Sequence, residues 1–109
     1  MIRSAVKMAL PADRMEEAMA IIGPMVERTR VERGCSGCEL HRDALDGDVL
    51  VLEEWWEAEE DLERHLRSEE YRNVLLVMEM ALDPPEIKFE TVSCSTGVET
   101  IEKARGTRC

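Results

Sequence analysis

The chain has 109 residues, 44% hydrophobic and 35% charged, with a formal net charge of −10. These proportions fit one globular domain with a modest core and exclude wholesale disorder. The acidic balance argues against nucleic acid or anionic membrane as main partner, since both need a basic footprint.

Ile2 to Leu10 reads as a first strand, ended by Pro11. Asp13 with Glu16 three residues on resembles a capping box, and predicts a helix start there. The stripe of that helix is Met15, Ala18, Met19, Ile22, Met25, Val26 and Thr29, at spacings of three and four. Gly23-Pro24 interrupts it, so a kink or a break is expected. Gly34 suits a left-handed position closing the helix.

Cys35 to Arg42 reads as a second strand, Asp46-Gly47 as a hairpin signal, and Val49 to Trp56 as a third strand. Both faces of the third strand begin apolar, so it is expected to be covered on both sides: by helices of its own chain, and by a second subunit. A helix from about Ala58 carries Leu62, His65 and Leu66 inward. Ser68 reads as the N-cap of a further helix burying Tyr71, Val74, Leu75 and Met78, stopped by Asp83-Pro84-Pro85. Ile87 to Cys94 is the last strand, and residues 96–109 form a polar tail with a short helical turn near Val98 and Ile101.

The order strand, helix, two hairpin strands, helices, strand is a split β-α-β, ferredoxin-like α+β arrangement over residues 1–95, with 96–109 as a tail extension. Its bare sheet face predicts a homodimer packed sheet against sheet. There is no apolar run at the N-terminus to suggest a signal peptide, and none elsewhere long enough to span a bilayer. The expectation is a cytoplasmic protein with reduced cysteines, and neither membrane nor nucleic acid as partner.

The segment joining the third strand to the next helix brings Glu54, Trp56 and His65 together. Glu54 and Trp56 share a strand face with Leu52, and a carboxylate there needs a partner such as His65 or Lys7. His65 is either a base or donor toward a bound molecule, or a structural histidine capping backbone or pairing with Glu54. Trp56 is either core or the wall of a pocket for a flat ring. Tyr71 is either core or a hydroxyl at the pocket rim.

Cys35-x-x-Cys38 invites a metal or redox reading. On an extended strand, however, side chains three apart point to opposite faces, and further ligands would have to come from Cys94, Cys109 or His41. No metal is therefore assigned, and a bulge at Gly37 is what would alter that geometry. Cys109, in the tail, is the cysteine expected to be most open to oxidation.

Three segments together, Gly34-Cys35-Ser36-Gly37-Cys38-Glu39-Leu40, Leu52-Glu53-Glu54-Trp55-Trp56 and Leu62-Glu63-Arg64-His65-Leu66-Arg67-Ser68-Glu69-Glu70-Tyr71, resemble the antibiotic biosynthesis monooxygenase family, and within it the small quinol monooxygenases. The resemblance spans about residues 2 to 94 and implies a dimeric α+β barrel with a pocket between sheet and helices. It further implies oxidation of a quinol or polycyclic phenol by molecular oxygen without metal, flavin or haem.

On that reading His65 and Glu54 are catalytic, and Trp56, Tyr71, Leu52, Leu62 and Leu75 bind a small aromatic substrate. Leu52 and Leu62 depart from the asparagine and tyrosine of the actinorhodin-pathway members. Leu75 stands where haem-degrading relatives have their iron-ligating histidine, which disfavours haem. The alternative is a non-catalytic dimer of the same fold, with a binding or structural role.

Overall fold

The computed structural model describes residues 1–106. Strand β1 (Ile2–Ala9) leads through a 3-10 turn (Ala12–Arg14) into helix α1 (Met15–Thr29). The hairpin of β2 (Cys35–Arg42) and β3 (Val49–Trp56) follows, then helices α2 (Glu59–Leu66) and α3 (Arg72–Met78), strand β4 (Glu86–Thr91) and helix α4 (Val98–Arg105). All pairings are antiparallel and the sheet order is β2-β3-β1-β4. This is the ferredoxin-like α+β fold.

The register sets which side chains share a face. On the inner face, Cys38, Glu54, Ser4 and Phe89 form one row across the sheet, and Leu40, Leu52, Val6 and Ile87 the next. Val6, Met8, Leu50 and Leu52 pack beneath Ala18, Ile22 and Met25 of α1 and Val74 and Val77 of α3. Alternation explains this: β3 buries Leu50, Leu52, Glu54 and Trp56, while Val51, Glu53 and Trp55 on its other face are only partly covered. The helical layer stops short of β4. Phe89 is 49% exposed although its row neighbours Ser4, Glu54 and Cys38 are buried.

Several expected details differ. The start of α1 has no side-chain cap; Arg14 N–H instead donates to the Pro11 carbonyl in the 3-10 turn. Pro24 does not break α1, which runs through it. The proline is on the exposed side, where water can serve the carbonyl it leaves unpaired. Met19 lies outside the buried stripe, on the solvent side.

Gly34 does take a positive φ of 85°, but it leads into β2 instead of closing α1. A β-carbon there would meet the Asp61 side chain of α2 at 2.1–2.5 Å. Its carbonyl accepts the Glu57 N–H at 2.8 Å, so β2 and the start of α2 meet at this glycine. Ser68 caps a turn that precedes the helix, not the helix itself. Its hydroxyl accepts the Tyr71 N–H, and α3 begins at Arg72.

That register corrects the expected stripe of α3: Val74 and Val77 are buried, whereas Leu75 is 48% exposed. The helical turn in the tail does form, as α4, and none of its residues is buried. Cys109 lies outside the described residues.

Candidate active site

Strand alternation turns Glu54 and Trp56 to the same inner face, and α2 lays His65 over them. The side chains of His65 and Glu54 are 0% and 1% exposed. His65 Nε2 lies 3.1 Å from Glu54 Oε2, and the Trp56 indole N–H donates to Glu54 Oε1 at 3.2 Å. The Trp56 and His65 rings are 4.6 Å apart at a 32° tilt, and Tyr71 stands edge-on to His65 at 5.3 Å. The Ser68 hydroxyl donates to the His65 carbonyl at 2.6 Å and accepts from Tyr71 N–H at 3.2 Å, which ties the end of α2 to the tyrosine.

The second ring nitrogen finds a residue that the sequence did not suggest. His65 Nδ1 lies 3.0 and 3.1 Å from the two carboxylate oxygens of Glu32, in the connection between α1 and β2. Glu32 is 29% exposed, so the line Glu54–His65–Glu32 runs from the interior to solvent. No local pattern marks Glu32; it is one of several charged residues in a polar connection, 33 positions from the histidine.

Burial disfavours the charged imidazole, but the two carboxylates outweigh it and raise the His65 pKa above its ordinary 6.5. As an imidazolium the ring donates from both nitrogens, one to each glutamate. Burial first and Glu54 second push the Tyr71 phenol up to about 12, so it stays protonated.

Of the residues singled out by sequence, Glu54, Trp56, His65 and Tyr71 come together, and Leu52 and Leu62 are buried. Leu75, on the outer side of α3, is not among these buried side chains. Lys7 is not the partner of Glu54: it aligns with Val51 and Glu86 on the opposite sheet face.

The cysteine pair also needs correction. The register shifts between Cys35 and Gly37, leaving Ser36 as an extra residue, so Cys35 aligns with Trp56 and Cys38 with Glu54 on the same face. Burial, the leading cause for both, raises each thiol's pKa, and nearby Glu54 pushes in the same direction. Both are free, and the raised pKa values keep both in the thiol form, which is the poorer nucleophile.

A family model for antibiotic biosynthesis monooxygenases matches residues 1–75. The chain belongs to this family. The matched span contains Glu32, Glu54, Trp56, His65 and Tyr71, the whole of the cluster just described.

Among solved structures, a Mycobacterium tuberculosis protein is 24% identical with a TM-score of 0.79, over 88% of this chain and 98% of its own. A conserved protein from Methanosarcina mazei Go1 is 24% identical with a TM-score of 0.76, over 82% of this chain and 89% of its own. A protein described as an antibiotic biosynthesis monooxygenase is 20% identical with a TM-score of 0.78, over 86% of this chain and all of its own. At these identities the likeness is one of fold. No curated protein matches the sequence significantly.

Proposed function

We propose that this member of the family is a cofactor-independent monooxygenase that oxidises a quinol or polycyclic phenol with molecular oxygen. The observation that carries the reading is a buried carboxylate, Glu54, joined through one buried imidazole to a carboxylate at the surface. Such a line moves a proton between a dry interior and water.

The roles read from the sequence change places in this proposal. Both His65 nitrogens face carboxylates, so the ring is the relay and Glu54 is the group that takes the substrate's proton. Trp56 fixes the other Glu54 oxygen and offers an aromatic wall, while Tyr71, Leu52 and Leu62 supply the apolar surround. Deprotonation in a dry site makes the substrate electron-rich enough to reduce oxygen itself. One oxygen atom then enters the ring carbon as a carbonyl and the other leaves as water with the two hydrogens that carbon and hydroxyl give up.

The substrate's path in this reading lies over β4, where Phe89 and Ile87 are half-exposed beside Ser4 and Val6, with Glu54 on the far side of Ser4. A homodimer is part of the proposal, since it would cover the partly exposed Val51 and Trp55 of the outer sheet face. No helix among the described residues is long and apolar enough to cross a membrane.

One observation favours the non-catalytic alternative: His65 and Trp56 are wholly enclosed, so a substrate must displace something to reach them. Oxygen uptake by metal-free protein, measured against hydroquinones, naphthohydroquinones and anthrones with autoxidation subtracted, separates the two. Uptake above background that collapses in Glu54→Gln supports the enzyme. Uptake above background that survives the substitution overturns the role given to Glu54, and no uptake across the panel moves the assignment to the binding or structural protein.

A further inference from the structure

The second histidine of the chain stands in a different setting, on the opposite face of the sheet. Glu39 and His41 are two apart on β2 and so share its outer face, and Glu53 of β3 is the direct cross-strand partner of Glu39. His41 Nε2 lies 3.1 Å from Glu39 Oε2 and 3.4 Å from Glu53 Oε1. One atom from each of the three residues falls within 4.8 Å of the other two.

Two features make this more than a surface ion pair. A ring nitrogen carries one hydrogen at most, so Nε2–H can satisfy only one of the two carboxylates that converge on it. Arg3, meanwhile, binds the other oxygen of Glu53 and also reaches Glu90, which holds Glu53 with Oε1 turned toward the histidine. That is how an outer-shell partner orients a metal ligand.

The two spacings that involve the histidine are also those of a coordination sphere. Zinc bonded to nitrogen and oxygen at about 2.0–2.1 Å in a tetrahedron keeps its donors about 3.3 Å apart. The two His41–glutamate separations bracket that value. An imidazole with two carboxylates suits zinc and its transition-metal neighbours better than calcium or magnesium, which take oxygen alone.

We propose that Glu39, His41 and Glu53 form a binding site for a divalent transition metal such as zinc, on the outer sheet face and separate from the Glu54–His65 cluster. The three residues supply three donors from one side, leaving the remaining position for water. Because Glu53 and Glu54 point to opposite faces of β3, a metal here is no part of the oxidation proposed above. Bound metal would instead pin the edge strand β2 to β3.

The test is titration of the metal-free full chain with zinc, followed by calorimetry and by the ring resonances of the two histidines. One zinc per chain is expected, shifting the His41 signals while leaving those of buried His65 in place. His41→Ala and Glu39→Gln should each weaken binding about 10-fold or more, the usual effect of disturbing a metal's surroundings. Cys94→Ser should bind as the parent does. Cobalt in place of zinc should show no thiolate charge-transfer band.

Zinc should also raise Tm in the parent and not in His41→Ala. Affinity unchanged in His41→Ala, a thiolate band with cobalt, or no binding with zinc at about 1 mM would each overturn the site. Circular dichroism of each variant shows whether it has folded, and Glu39→Gln, an exposed near-isosteric change, provides a test should His41→Ala fail to fold.

Discussion

Two histidine–glutamate pairs sit back to back on β3. Glu54 points inward to His65 at 3.1 Å, and Glu53 points outward to His41 at 3.4 Å. The chemistry of the pairs is the same and their environments are opposite: the inner side chains are wholly buried, while half of the His41 side chain meets solvent. An exposed pair of this kind contributes about 0–1 kcal/mol, because water screens it and would solvate either partner alone. A buried pair contributes little net stability either, since its desolvation cost offsets its attraction. The difference appears when one partner is removed, because the interior has no water to take its place.

The largest expected effect is therefore His65→Ala. It strands Glu54 with only the Trp56 N–H, leaves Glu32 unpaired and opens a cavity, so a loss of roughly 3–5 kcal/mol is expected, read from chemical denaturation with unchanged m-value. A loss below about 1 kcal/mol would mean that water reaches Glu54 and that the inner pair is not dry.

Gly34→Ala comes next. It tests the seat that brings α2, and so His65, over the sheet. The positive φ and the overlap with Asp61 both oppose a side chain there, for an expected loss of roughly 1–3 kcal/mol. His41 is remote from that seat, so its ring resonances should move less than those of His65.

Much of this was legible in the sequence. The alternation of Val49–Trp56 placed Glu54 and Trp56 on one face, and Leu62 with His65 three residues later fixed the face of α2 that meets them. What escaped notice depended on irregular backbone. A bulge at Gly37 is the exception the sequence allows for Cys35 and Cys38, but only the pairing register shows that the shift occurs, between Cys35 and Gly37, and brings both to one face. Leu75 was misplaced because Ser68 caps a turn, and the helix starting at Arg72 turns Val74 and Val77 inward instead. Glu32 was invisible because a loop residue has no periodicity to betray where its side chain goes.

The inner pair also predicts a pH dependence, smaller than the effect of truncation. The groups facing His65 are Glu54 from β3, Glu32 from the α1–β2 connection, the Trp56 ring and the neutral Tyr71 phenol. The folded-state pKa of His65 is raised above 6.5, so the folded chain holds this proton more tightly than the unfolded chain does. Its contribution is fully present below pH 6.5 and is lost as pH rises through the raised value. Denaturation midpoints should fall across that window in the parent, and the fall should flatten in His65→Gln. Glu32→Gln should narrow the window, because it removes one of the two charges that hold the proton.

The smallest expected effect is that of His41→Ala in metal-free protein at concentrations too low for the proposed homodimer to form, within about 0.5 kcal/mol of the parent. The argument rests on what the neighbours keep. Without the imidazole, Glu53 retains Arg3, which also bonds Glu90, and exposed Glu39 regains water. The loss of one screened interaction is then offset by the side-chain entropy no longer spent on holding the half-exposed ring in place. A loss above about 2 kcal/mol would show that the outer face is covered in solution, so that both pairs are buried and β3 carries the same polar arrangement on two dry faces. Repeating the measurement at higher protein concentration distinguishes that outcome, since cover supplied by a second copy makes stability rise with concentration.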